Sequence, residues 1–189
     1  MIVKVCGITR REDAVAAVES GASALGFIFY PKSPRYVRAE TAAQLGNGLD
    51  AWKVGVFVDE SPAAIEGVMK TARLDVAQIY GDCVPEGVRV WRAYRVAESE
   101  KAWQVGDLPY YEALFLDGSA NGVSFDWHVA RDAGEKVVIA GGLDASNVGE
   151  AIRVARPWGV DASSGLESAP GIKDHEKVRR FVKAAREAS

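Results

Sequence analysis

The hydrophobic positions of the chain gather into eight short runs rather than spreading evenly. They are "IVKVC" (2–6), "ALGFIF" (24–29), "KVGVFV" (53–58), "LDVAQIY" (74–80), "VRVWRAY" (88–94), "EALFLD" (112–117), "KVVIAG" (136–141) and "GVDASS" (159–164). The runs are nearly continuous instead of alternating, the pattern of strands covered on both faces. Segments with helical periodicity lie between most of them. In "RREDAVAAVESGA" an apolar stripe of Ala14, Ala17, Val18 and Ala22 ends near Gly21. "SPAAIEGVMKTA" opens with Ser61 as N-cap and Pro62 in the first turn. "DASNVGEAIRVAR" and "DHEKVRRFVKAAREA" carry the same helical spacing.

Strictly alternating strands and helices predict an α/β protein with a parallel sheet. Eight units in 189 residues average about 24 residues each, near the minimum for a strand, a helix and two short loops. Two architectures satisfy this: a closed (β/α)8 barrel and an open doubly wound sheet. The barrel usually takes about 250 residues, with about 200 as its lower range, so this one is compact. The fifth unit is the weakest, because "RVAESEKAWQVGDLPYY" has poor helical periodicity and predicts a short or missing helix 5. No linker or low-complexity run divides the chain, so residues 1–189 are expected to form one domain.

Composition narrows the function classes. A net charge of −3, with no basic stretch, argues against nucleic acid or an anionic membrane as partner. No apolar stretch approaches the roughly 18 residues of a membrane span, and "MIVKVCGITRRED" lacks the features of a signal peptide. Two cysteines make no disulfide framework and suit a reducing compartment, so a cytoplasmic location is expected. No surface feature points to self-association, and a monomer is expected. No His/Cys/Asp spacing resembles a metal ligand set.

In a barrel the chemistry gathers at the C-terminal ends of the strands. In that register the strand ends are Cys6, Tyr30 to Arg35, Asp59, Tyr80–Gly81, Arg95, Asp117, Gly141–Gly142 and Asp161 to Gly165. Polar residues gather wherever strands end, so the last two units are the more specific signal. "IAGGLDASN" puts two glycines after strand seven, and "VDASSGLES" puts Ser-Ser-Gly after strand eight. Phosphate needs closely approaching backbone N–H donors and a helix N-terminus, and barrels frequently build such a site from these two loops. "SSGLES" offers the helical turn, with two ordinary tight turns as the alternative.

Asp117 closes a very apolar strand, where partial desolvation raises a carboxyl and suits it to general-acid work. Its alternative is to cap the following "DGSANG" loop. Asp126 fits the N-cap of a helix, and His128 and His175 fall on helix starts or outer faces. Cys83 follows "YGD" with no base beside it and is taken as a bystander. Cys6 admits three readings: a buried spacer, half a disulfide, or a catalytic thiol. Composition removes the disulfide. Thr9 with Glu12 has the S/T-x-x-E spacing of a capping box, predicting a helix start just after the Gly7 turn.

"KVCGIT", "GFIFYPKSPRYV", "FLDG", "FDW", "IAGGL" and "GVDASSGLE" follow the order and spacing of the phosphoribosylanthranilate isomerase family, which the chain resembles from Lys4 to past Glu167. The resemblance implies a (β/α)8 barrel without a cofactor. It also implies an Amadori rearrangement of N-(5-phosphoribosyl)anthranilate to the 1-amino-1-deoxyketose in tryptophan synthesis, with a phosphorylated small molecule as the partner. By the same resemblance Asp117 is the general acid, Cys6 the general base and Arg35 the partner of the anthranilate carboxylate. Gly141, Gly142, Ser163, Ser164 and Gly165 match the phosphate cradle, and Asp161 lies near the substrate's amine or sugar. Arg35 is expected to favour the Cys6 thiolate. The chain departs from the family twice: Tyr80 stands where histidine is usual, and "SANG" keeps only Gly122 of a glycine-rich loop. The rival readings are an isomerase of a related histidine-pathway aminoaldose, expected to use paired aspartates where Cys6 stands here, and a silent phosphosugar-binding barrel.

Overall fold

The structure is a computed structural model and describes residues 1–96, 111–118 and 124–189. Its strands are β1 Ile2–Cys6, β2 Ala24–Ile28, β3 Trp52–Val58, β4 Val76–Tyr80, β5 Val90–Val96, β6 Ala113–Gly118, β7 Val137–Ile139 and β8 Gly159–Ala162. Each pairs in parallel with the next, and β8 returns to β1 with Lys4 opposite Asp161, which closes the barrel. The open doubly wound alternative is excluded by that last pairing. The α-helices among the described residues are α1 Arg11–Glu19, α2 Ala39–Gly46, α3 Pro62–Ala72, α4 Val148–Ala155 and α5 His175–Glu187. A short antiparallel hairpin, β9 Glu167–Ala169 and β10 Ile172–Lys173, sits between β8 and α5. No helix among the described residues is long and apolar enough to cross a membrane.

The continuous apolar runs divide into two cores by the two-residue period of a strand. Val3 and Val5 of β1, Ala77 and Ile79 of β4, Leu114 and Leu116 of β6 and Val160 and Ala162 of β8 belong to the core shared with the helices. Ala24, Val54, Val76, Ala93, Phe115 and Val138 fill the barrel itself. Its floor is three tryptophans: Trp91 meets Trp158 edge-on at 5.7 Å, and Trp52 lies 5.9 Å from Trp91. Such pairs add about 0.5–1.5 kcal/mol each beyond their buried area. With large rings filling the N-terminal end, the space inside the barrel lies at the C-terminal end.

Several local expectations need correction. Thr9 and Glu12 form no capping box: Arg10 is the N-cap of α1 and makes no side-chain cap bond. The Thr9 hydroxyl instead donates to the Gly171 carbonyl of the β9–β10 turn, and Glu12 lies 3.2 Å from Arg10. The structural anchor at this point is buried Asp13. It accepts from Arg10, from the Lys173 backbone N–H at 3.1 Å and pairs with His175 at 2.8 Å, tying α1 to the start of α5. Ser61 does cap α3, accepting from Ala64 N–H with Pro62 in the first turn. Asp126 caps a 3-10 turn, Trp127–Ala130, rather than an α-helix. The connection from β4 to β5 carries no helix: Pro85 and two glycines in "GDCVPEGVR" interrupt any helical period. The weak fifth helix expected from residues 97–110, and Gly122 of the next loop, lie outside the described residues.

Candidate active site

Cys6 ends β1. Lys4 and Cys6 are two residues apart, so both side chains enter the barrel while Val3 and Val5 face the helices. The strand stops at Gly7, whose φ of +76° places it in the left-handed region that glycine enters without steric cost. A Cβ there would sit 2.5 Å from Arg35 Cδ, so glycine also lets the arginine cross the strand end. Gly7 and Ile8 N–H groups both donate to the Gly26 carbonyl at 3.0 Å, which fixes the turn.

Below the thiol, Lys4 is fully buried and pairs with Asp161 Oδ1 at 2.8 Å. This cross-strand pair joins β1 to its neighbour β8 and neutralises two charges that could not be buried singly. Burial pushes the Cys6 thiol up, and Asp161 adds to that; Lys4 is the strongest opposing influence, with Lys173 after it. The net direction is upward. The expected attraction between Arg35 and the thiolate is present, but Lys4 and Lys173 are the stronger opponents of burial, and the net direction stays upward.

Arg35 is already engaged. Its Nε and Nη2 donate to the two oxygens of Glu167, each at 2.7 Å, a bidentate fork. Glu167 also accepts from Lys173 Nζ at 2.8 Å, and the same ammonium donates to the Ser163 carbonyl at 3.1 Å. The β9–β10 hairpin thereby buttresses Arg35 and the loop after β8 together.

Opposite Cys6, Asp117 lies near the end of β6. Its Oδ2 accepts from the Tyr80 hydroxyl at 2.9 Å. Burial raises the Asp117 carboxyl; the Tyr80 bond opposes this, Asp161 adds to the rise and Arg95 opposes it, leaving a net increase. The desolvated carboxyl read from the sequence is therefore present, though only partly buried within a hydrogen-bonded setting.

The two glycine-bearing loops meet at the same mouth. Gly141 and Gly142 have φ of +89° and +64°, conformations that turn successive peptides and that a side chain would strain. Asn147 holds this turn, donating to the Gly142 carbonyl at 2.8 Å and accepting from Asp144 N–H. After β8, Ser164–Leu166 form the short helical turn anticipated from "SSGLES". Buried Ser163 Oγ has no hydrogen-bond partner among the described residues. An unpaired hydroxyl beside two such loops is the donor set an anionic oxygen needs.

These parts face one cavity of about 240 Å³, lined by Cys6, Arg35, Asp117, Asp161 and both loops. Every residue to which the family resemblance gives a role thus meets at one site. Cys83 is exposed and not among its lining residues, and Asp59 does not line it either. His128 pairs with Asp126 on the surface and His175 with Asp13, so both are structural. Four polar residues escaped the sequence reading: Lys4, Gln78, Glu167 and Lys173. Lys4 leaves one trace, a charge within the buried run "IVKVC". The others are legible only once β4, β8 and the hairpin come together. Among the described residues no group of three or more His, Cys, Asp or Glu side chains is placed to hold a metal ion.

Comparison with known proteins agrees with this geometry. The pattern of the N-(5'-phosphoribosyl)anthranilate (PRA) isomerase family matches residues 3–184. The N-(5'-phosphoribosyl)anthranilate isomerase of Solibacter usitatus is 48% identical over 198 residues, covering 100% of this chain and 98% of that protein. The Thermotoga maritima phosphoribosylanthranilate isomerase, a dimeric protein solved as generated monomers, superposes with a TM-score of 0.87 at 40% identity, covering 99% of this chain and 100% of that one. A phosphoribosyl anthranilate isomerase solved with reduced 1-(o-carboxyphenylamino)-1-deoxyribulose 5-phosphate gives 0.87 at 39% identity, with the same coverage. A match along almost the whole length, in sequence and in fold, leaves one conclusion: the chain belongs to the phosphoribosylanthranilate isomerase family of tryptophan biosynthesis.

Proposed function

We propose that Cys6 and Asp117 are the base and the acid of the isomerisation of N-(5'-phosphoribosyl)anthranilate. One observation carries the assignment: they lie on different strands, β1 and β6, yet line one cavity that also contains both glycine-bearing loops. Ring opening needs an acid and a carbon-bound proton needs a base, and these two groups are of the right type.

Asp117 gives its proton to the furanose oxygen as the C1'–O bond breaks, and the nitrogen lone pair forms the C=N bond of a protonated Schiff base. Cys6 thiolate then takes the C2' proton. The released electron pair forms C1'=C2' and neutralises the nitrogen, giving an enolamine. This tautomerises to the ketone as C1' gains a proton and the C2' hydroxyl loses one. Gly141, Gly142, Ser163, Ser164 and Gly165 hold the phosphate at the far end. Arg35 meets the anthranilate carboxylate with Nη1 or by exchanging Glu167 for it, and Asp161 lies by the amine or sugar.

Burial raises both catalytic groups, the one from the carboxyl range and the other from the much higher thiol range, and Asp117 ionises below Cys6. The working form, neutral acid with thiolate base, is then a minority species between the two values. Its population climbs with pH up to the Asp117 value, stays level, and falls above the Cys6 value. The acidic bend of kcat/KM therefore belongs to Asp117 and the basic bend to Cys6.

The test is the loss of substrate fluorescence with wild type, Cys6→Ser and Asp117→Asn. The expected outcome is an active wild type with both variants slowed by about 10²-fold or more. Full kcat in Asp117→Asn, or an inactive wild type, overturns the assignment. We further read residues 1–189 as one catalytic barrel, monomeric and cytoplasmic. Tyr36 and Ile172 are the large exposed hydrophobic residues among those described, and both cysteines are unpaired.

A further inference from the structure

Asp117 does not stand alone in the cavity. Tyr80 Oη donates to its Oδ2 at 2.9 Å, and Gln78 Nε2 donates to Tyr80 Oη at 3.3 Å. Gln78 and Tyr80 are two residues apart on β4, so both point inward, and they reach Asp117 across β5. Gln78 is 2% exposed, and its Oε1 has no partner among the described residues. The order of donors follows from the carboxylate. With the amide turned over, the phenol's hydrogen would go to Oε1, leaving two lone-pair oxygens facing each other at 2.9 Å. Gln78 therefore donates to the phenol, and the phenol donates to the carboxylate.

We propose that Tyr80, steered by Gln78, is the positioning residue of the general acid: it holds Oδ2 and leaves Oδ1 as the atom that delivers the proton to the substrate. The inference rests on the general-acid role given to Asp117 above. A phenol suits the task because it stays protonated. Burial, followed by the charges of Asp117, Asp161 and Cys6, pushes Tyr80 well above its ordinary value. Among the described residues Arg95 of β5 also faces the pair, 5.9 Å from the Tyr80 ring and acting on Asp117, while the Asp161 charge is paired with Lys4 of β1. A donor that favours the carboxylate makes Asp117 a stronger acid than burial alone would leave it. It also stabilises the charge that appears on Oδ2 as the proton leaves Oδ1.

Two changes at position 80 pull the carboxyl in opposite directions while keeping the ring. Tyr80→Phe removes the donor; 3-fluorotyrosine at position 80 makes the phenol a stronger one. The readout is the acidic bend of kcat/KM, which reports the free protein, together with a ¹³C titration of the Asp117 carboxyl assigned through Asp117→Asn. Tyr80→Phe is expected to move both upward by about half to one pH unit, and fluorotyrosine to move both downward, with the basic bend unchanged in each. Bends that stay in place in a folded Phe or fluorotyrosine protein overturn the inference. Wild-type kcat/KM in Asp117→Asn removes the general-acid reading itself. An inactive Asp117→Asn with an unmoved bend at position 80 removes only the role of Tyr80.

Discussion

The residue that most shapes the chemistry of Cys6 is Lys4, one turn of the pleat below it. A lysine in a wholly apolar strand is expensive to bury, and its pairing with Asp161 at 2.8 Å is what permits it. The ammonium favours the thiolate, so its removal raises the Cys6 thiol further. Lys4→Met is therefore expected to shift the basic bend of kcat/KM to higher pH. It also leaves Asp161 buried without its partner, a loss of about 3–5 kcal/mol measurable by denaturant unfolding. Adding Asp161→Asn should recover part of that stability and bring the bend part of the way back, because the Asp161 charge also raises the thiol. A basic bend unmoved by Lys4→Met would show that the lysine does not tune the thiol. At this scale the sequence is informative about which residues end strands and silent about which pair. Cys6 and Asp117 stand out because a strand end is a local feature. Lys4 and Asp161 are 157 positions apart, and only closure of the barrel makes them neighbours.

At the scale of elements, the eight strands are legible because burial on both faces writes a continuous apolar run for each. The helices are less so. α2 is only eight residues long, and nothing in "AETAAQLG" marks it as strongly as Ser61–Pro62 marks α3. Thr9 and Glu12 have capping-box spacing, yet the approaching β9–β10 hairpin takes the Thr9 hydroxyl for the Gly171 carbonyl. That hairpin has a working part as well. Burial acts to raise Glu167, but its bonds from Arg35 and Lys173 prevail and hold it below the usual carboxylate range. It thus stays ionised and keeps the guanidinium fork oriented. Glu167→Gln removes the charge and one half of the fork. The expected result is a KM raised about tenfold, the size of a charge-assisted contact of ~1.5 kcal/mol, with kcat little changed. A reduced KM would instead mean that Glu167 competes with the substrate carboxylate for Arg35.

The whole molecule divides the barrel's interior between stability and function. Trp52, Trp91 and Trp158 close the N-terminal end, and the open C-terminal end gathers a thiol, a carboxyl, an arginine and two glycine-bearing loops. Light scattering is expected to give the mass of one chain, 20.3 kDa; twice that mass would match the dimer of the Thermotoga maritima relative. The central claim is that the thiolate of Cys6 takes the proton from carbon. Its most direct test is the pH dependence of iodoacetamide inactivation in a Cys83→Ser background, which removes the exposed thiol. The account predicts that inactivation follows a single ionisation above the ordinary thiol value and coinciding with the basic bend of kcat/KM. An inactivation that titrates elsewhere, or an alkylated protein that still turns over, would contradict it.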